Sequence, residues 1–509
     1  MRRAWVAGIV VAALGLAGCQ ASSAAVELGE APPADAVRVA PDAVDDAVSQ
    51  LPDIVRAALE ESGVPGAAVA VVHGGEVVLA EGFGVRDLRT GEPVTADTVF
   101  PIASMSKPLS ATAVALAIEE DPDLSWDTRL VDLDPGFALA DPRGTADATL
   151  GDAFSHQLGL PTGAGDDLED VGFGRDDILA RLEQVPVTGL RAGYAYSNFG
   201  FTWGAEGVAT RRGQDWADVV DELVFDPLGM GSSSARHADY LGRADRAVLH
   251  EIVDGAFRAG PDRDADAQAP AGGVSSNVRD LASWVSFLLA TEPGGALAEA
   301  MSAQVVRGAG LGERAATYGY GFNVDTLAGG RVAVSHSGGF VLGAATNVQL
   351  IPSLDVGIVT LTNGAPVGVP EAVNAAFADV LQFGGETREW TAAYAGAMAP
   401  LTAPVGDLVG AARPAGGAPA PDDLAGTYTN AYFGAVTVRR AGDGYVAEVG
   451  PSGVELALEP WDGPVLAYAP RGENAPDGSL ASATFADGSV RFDTLDAHGL
   501  GTFSRDDGS

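Results

Sequence analysis

Phe100-Pro101-Ile102-Ala103-Ser104-Met105-Ser106-Lys107-Pro108 is the stretch on which the reading of this chain turns. Residues three apart on a helix share a face, so a helix through this segment lays Lys107 over Ser104. Pro108 fits only in the first turn, which predicts a helix start near Ser104 and puts the hydroxyl at the positive end of the helix dipole. An alkoxide developing there is favoured, and a buried neutral lysine beside it can take the hydroxyl proton. Lys107 is the one lysine among 30 lysines and arginines. Where arginine serves every other need for fixed positive charge, the single lysine points to a group that must lose a proton, which a guanidinium does not do.

The remaining chain supplies the setting. Its 509 residues favour two or three domains with a large core. Apolar residues make up 47% and charged residues 19%, and 67 Gly and 30 Pro are scattered without period, so the composition is globular. The net charge of −39 repels phosphate backbones and anionic headgroups, which excludes nucleic acid as a partner. The acidity itself reads as solubility or adaptation to salt.

Met1-Arg2-Arg3, the apolar run from Ala4 to Ala17, and Gly18-Cys19 form the basic, hydrophobic and small-residue parts of a secretory signal, too short to serve as a membrane span. Leu16-Ala17-Gly18-Cys19 resembles the bacterial lipobox, which implies export and lipidation of Cys19, the only cysteine. Residues 1–18 are then a lipoprotein signal peptide and 19–49 a tether, with lipid as the sole attachment to the membrane, outside the cytoplasm. Lipidation leaves no thiol for catalysis or metal. The six histidines lie apart with no His-Glu-x-x-His, so neither a metal site nor another cofactor is expected.

Gly66–Val72 and Glu76–Val85 read as strands of a hairpin turning at His73-Gly74-Gly75, and Leu109–Glu120 as a helix. Short helical segments alternate with loops over 150–235, Asp215–Val224 among them, and Asn277 caps a helix to Leu289. Val332–Ser335, Ala344–Leu350 and Val356–Thr362 read as three further strands. Strands at both ends of a helical middle predict an α/β domain over 50–385, an antiparallel sheet flanked by helices and closed by the first and last segments, with an all-helical region. Residues 386–421, rich in Ala, Gly and Pro toward their end, read as a linker. Residues 422–509 alternate short strands with Gly turns and read as a small all-β, barrel-like domain.

Two further motifs carry chemistry. Tyr196-Ser197-Asn198 lies in a Gly-rich aromatic loop, where a phenol can move a proton and an amide can hold a carbonyl, although Tyr428-Thr429-Asn430 has the same pattern. His336-Ser337-Gly338-Gly339 lies on a strand, where glycine lets a substrate backbone approach and an N–H can face an oxyanion; His73-Gly74-Gly75 is its decoy.

In this order the three motifs resemble those of the serine hydrolases of the class C β-lactamase and DD-peptidase type, with Ser-x-x-Lys followed by a Tyr motif and a Lys-Thr-Gly-type motif. Leu124-Ser125-Trp126-Asp127, Phe225-Asp226-Pro227-Leu228-Gly229-Met230 and Ala271-Gly272-Gly273-Val274-Ser275-Ser276 are similar to that family's connecting segments. The resemblance implies a β-lactamase/transpeptidase-like fold, Ser104 as the acyl-accepting nucleophile, and Lys107 with Tyr196 as the proton-transfer pair. It implies that Asn198 positions substrate, that the Ser104 and Gly339 N–H groups hold the oxyanion, and that His336, Ser337, Gly338 and Gly339 align the substrate along a strand edge. The β-lactamases begin the third motif with Lys, which holds a substrate carboxylate. Here it is His336, charged only in part near neutral pH. That departure favours D-Ala-type peptides or esters, acted on in the manner of DD-carboxypeptidases, D-aminopeptidases and esterases, with β-lactam hydrolysis, or binding without turnover, as alternatives. The appended β-domain is expected to carry no catalytic residue.

Overall fold

The computed structural model describes residues 28–29, 36–308 and 314–506, so the signal segment and Cys19 lie outside the described residues. A nine-stranded antiparallel sheet forms the centre. In spatial order its strands are 92–93, 76–87, 66–73, 356–362, 344–351, 332–340, 323–326, 316–318 and 305–308. The first hairpin turns on Gly74 and Gly75, both with positive φ (61° and 78°), which is the backbone a two-residue turn between twisted strands demands. Strand Gly66–His73 pairs with Val356–Thr362, so segments almost 300 residues apart close the sheet, as the sequence reading expected.

That central strand is buried along nearly its whole length because helices cover both faces. Ala67, Val69 and Val71 point into a cluster with Leu51, Val55, Val373 and Phe377, from helices Ala43–Ser62 and Val369–Phe383. Ala68, Ala70 and Val72 point the other way, into the cluster that holds Leu109 of helix Ser106–Glu120 and Trp284 of helix Val278–Leu289. The side-chain alternation of a strand therefore sorts one apolar run into two cores. Asn277 caps the last of these helices, its side chain accepting from the Asp280 N–H at 2.9 Å. The predicted helix over Asp215–Val224 is α-helical over Trp216–Val220 and widens into a π turn over Asp221–Phe225.

Two boundaries differ from expectation. Helix Ala43–Ser62 begins inside the segment read as tether, and Val37 before it donates its N–H to the Gly329 carbonyl at 2.8 Å. Its apolar side recurs at Ala43, Ala47, Leu51, Val55 and Ala58, a period that composition alone hides. Helix Trp390–Met398 lies inside the segment read as linker, packed on Val369–Phe383.

The C-terminal residues close an eight-stranded antiparallel barrel from Gly426–Asn430 to Thr502–Arg505. The decoy Tyr428 is buried there, its hydroxyl donating to the Leu424 carbonyl. The barrel is seated on the α/β domain: Arg181 Nε donates to the Tyr432 carbonyl (3.0 Å), Tyr432 Oη to Asp167 (3.0 Å) and Asn474 Nδ2 to Asp170 (2.8 Å). No described helix is long and apolar enough to cross a membrane.

Candidate active site

Ser104 sits in a 3₁₀ turn, Ala103–Met105, that feeds directly into helix Ser106–Glu120. The turn is held from both sides. Ile102 N–H donates to Val274 O (2.9 Å), and Ser106 Oγ donates to Ala103 O (2.7 Å) while accepting from Val274 N–H (3.0 Å). Ala103 is forced to a φ of 48°, a conformation that a residue with a Cβ adopts only under constraint. Strand Val332–Phe340 lies so close against the turn that a Cβ on Gly338 would come within 2.2 Å of the Ile102 carbonyl oxygen. Glycine at 338 is thus required by the approach of one protein backbone to another.

Lys107 is fully buried beneath Ser104. Its Nζ lies 2.7 Å from Asn198 Oδ1, 3.0 Å from Ala271 O and 3.2 Å from Ser104 Oγ. The first two oxygens only accept, so each takes one N–H. A neutral amine has two N–H groups and one lone pair, and the lone pair is left facing Ser104 Oγ. Burial pushes the Lys107 pKa down to about 7, opposed by the Asp166 carboxylate. Tyr196 Oη donates to Ser104 Oγ at 2.7 Å, and burial raises its own pKa, which keeps the phenol protonated.

The loop carrying Tyr196 is fixed by His156, whose backbone carbonyl accepts from Ala195 (3.0 Å) and whose Nδ1 accepts from Ser197 N–H (3.2 Å). Ser197 caps helix Asn198–Arg212. Asn198 was expected to face substrate. The structure places it at the border of the cleft and as a bridge, Oδ1 to Lys107 and Nδ2 to both oxygens of Asp166 (3.3 and 3.2 Å).

The cleft above Ser104 has a volume of about 560 Å³ and is bordered by Tyr196, Asn198, and His336 through Gly339. Strand Val332–Phe340 pairs along its length with Ala344–Ile351 but on its other side only through Val332–Ser335, leaving 336–340 as an open edge among the described residues.

His336 is the main correction. It was expected to be charged in part near neutral pH and to help align substrate. It is buried, Nε2 lies 3.0 Å from Tyr318 Oη and Nδ1 is 2.6 Å from Ser337 O, and burial followed by the Lys107 charge drives its pKa down to about 3. The ring is neutral and both nitrogens are engaged. The two arginines bordering the cleft are also occupied, Arg263 with Glu169 and Arg307 with Asp325 (2.7 Å).

The β-domain enters the site, which its sequence did not foretell. Glu473, Asn474 and Pro476 border the cleft. Glu473 accepts from Val341 N–H at 2.6 Å, just beyond the open strand edge, and burial raises its pKa to about 8. Asp166 was also missed, since one more acid in an acid-rich chain gives no signal until the fold sets it against Asn198. No group of His, Cys, Asp and Glu suited to a metal is present among the described residues.

The profile of the Beta-lactamase family matches residues 51–382. The chain is 27% identical to an unguisins hydrolase of Aspergillus violaceofuscus over 380 residues, 67% of this chain and 66% of that protein. It is 29% identical to a D-aminopeptidase of Brucella anthropi over 287 residues, 54% of this chain and 51% of that protein. The chain thus spans about half to two thirds of the length of these curated relatives. The octameric penicillin-binding protein homologue of Pyrococcus abyssi shares the fold, with a TM-score of 0.57 at 19% identity over 87% of this chain and 98% of the other. The match spans well over half of the sequence, and the nucleophile turn, buried lysine and strand edge all lie within it, so the chain belongs to the Beta-lactamase family of serine hydrolases.

Proposed function

We propose that the chain hydrolyses D-Ala-type peptides or related amides and esters through an acyl-enzyme on Ser104. One observation carries the reading: Ser104 Oγ is reached at once by Lys107 Nζ and Tyr196 Oη, both in water-poor surroundings. Neutral Lys107 takes the hydroxyl proton as Oγ attacks the substrate carbonyl carbon. The oxyanion is held by the N–H groups of Ser104 and Gly339. Protonation of the leaving amine or alcohol through Lys107 and Tyr196 breaks the scissile bond, leaving the ester on Ser104, and water attacks that ester by the reverse proton path. The open edge at 336–340 pairs with an extended substrate, as an added strand does.

The cleft favours donors without a carboxylate. With His336 neutral, each arginine bordering the cleft already has a carboxylate partner, Arg263 in Glu169 and Arg307 in Asp325. This supports the aminopeptidase-like and esterase-like readings over the DD-carboxypeptidase and β-lactamase ones. The lipobox-like start supports export and membrane anchoring through Cys19. Labelling with an alkynyl fatty acid in a bacterial host, lost in Cys19→Ser, tests the anchor.

The test of the chemistry is intact mass of residues 20–509 mixed with D-alanine p-nitroanilide, an activated ester and a penicillin, with Ser104→Ala beside it. Adducts or turnover that need Ser104 support the proposal. Equal behaviour of the parent and Ser104→Ala would overturn it, leaving a binding protein with this fold.

A further inference from the structure

We propose that Asp166 is a positioning residue which, through Asn198, orients the amide that Lys107 binds and sets the pH at which Lys107 gives up its proton. This rests on the reading of Lys107 as the acceptor of the Ser104 proton.

An asparagine side chain by itself has no preferred end. Here Asp166 accepts from Nδ2 with both carboxylate oxygens, at 3.3 and 3.2 Å, so Oδ1 is the atom that faces Lys107 Nζ at 2.7 Å. Were the amide reversed, its N–H groups would confront the N–H groups of Lys107, and the lone pair would be drawn away from Ser104. The amide carries orientation and not a proton, so Asp166 takes no part in the transfer from Ser104 Oγ to Lys107 Nζ.

Asp166 is also the negative charge that acts on Lys107. The other surroundings of Nζ are Ser104, the Ala271 carbonyl, the Tyr196 and Phe201 rings at 4.4 and 5.8 Å, and the imidazoles of His156 and His336, both held neutral by burial. A carboxylate favours the ammonium, so it opposes the burial that drives the proton off. Asp166 in turn faces Glu169 and Asp170. Glu169 is tied to Arg263 and Gln268, and Asp170 to Asn474 of the barrel, so these acids are fixed in place around it. Withdrawal from water and then the Glu169 charge hold the Asp166 proton to about pH 7, close to Lys107, and the two groups titrate as a coupled pair.

Because the chain has one lysine, protein grown on [¹³Cε]lysine gives a single resonance, and its shift against pH reads Lys107 directly. In Asp166→Asn the midpoint of that titration is expected to fall by about one pH unit or more, and the acid limb of kcat/KM for p-nitrophenyl acetate to fall with it. Asp166→Ser, smaller and neutral, gives the same reading if the amide disturbs folding. A purely structural role would lower activity at every pH and leave the midpoint in place, which overturns the inference. A lysine that titrates near its ordinary value in the parent overturns the acceptor role and this inference together. A lowered parent midpoint that neither variant moves overturns the inference alone.

Discussion

Replacing Lys107 by methionine separates the lysine's stability effect from its chemical role. In the folded chain burial pulls its pKa from 10.5 to about 7. Between those values the unfolded chain holds a proton that the native chain has shed, so the native state gains stability as pH rises from 7 to 10.5. At about 1.36 kcal/mol per pH unit the dependence amounts to at most about 5 kcal/mol. Lys107→Met lacks it. The lost contacts to Asn198, Ala271 and Ser104 shift the variant by an amount that changes little over this range, so the difference between variant and parent reads the lysine together with the Asp166 proton coupled to it. Urea unfolding of both at pH 7 and pH 10 is expected to show the variant losing about 4 kcal/mol relative to the parent between the two pH values. A difference constant within about 1 kcal/mol would refute a deprotonated buried lysine. Lys107→Arg keeps charge but cannot shed a proton, and acylation followed by intact mass is expected to slow by about 10²- to 10⁴-fold. Near-normal acylation in that variant would remove Lys107 from the proton path.

Other expectations concern its neighbours. Tyr196→Phe loses only the 2.7 Å contact to Ser104 and is expected to lower kcat/KM by roughly 10²-fold or more without changing the melting temperature. Gly338→Ala puts a Cβ 2.2 Å from Ile102 O and must displace strand or nucleophile turn, costing about 1–3 kcal/mol in unfolding measurements and about 10²-fold in acylation. With His336 titrating at about 3, neutral and carboxylate-bearing substrates are expected to share one pH profile between pH 5 and 8; a limb confined to the carboxylate substrate would restore charge to that ring. Asn277→Ala removes the cap on Val278–Leu289 and is expected to cost about 1 kcal/mol in urea melts with activity intact.

Local signals were legible where short-range geometry determines the outcome. The Gly74-Gly75 turn, the Asn277 cap and the helix after Ser104 each depend on residues within a few positions, and each is found where its residues predict it. Helix Trp390–Met398 was read as linker because its apolar residues run all round it and mark no face, and the first turns of Ala43–Ser62 were read as tether because composition hides the apolar stripe that helix presents to the sheet. Helical stability in such segments comes from packing more than from propensity.

By itself, the sequence determined the pairing of Ser104 with Lys107, because three residues of helix bring two side chains together whatever surrounds them. It also determined the order of the Tyr196 and His336 motifs, and the division into an α/β body and a β-rich tail. Only the tertiary structure decided what these groups are chemically. The burial that makes Lys107 a base, the neutral state of His336, the Asp166 and Asn198 support, and the Glu473 loop of the barrel at the strand edge all arise from contacts between distant segments. A pKa is set by the water a fold excludes and the charges it gathers, and neither is written in local spacing.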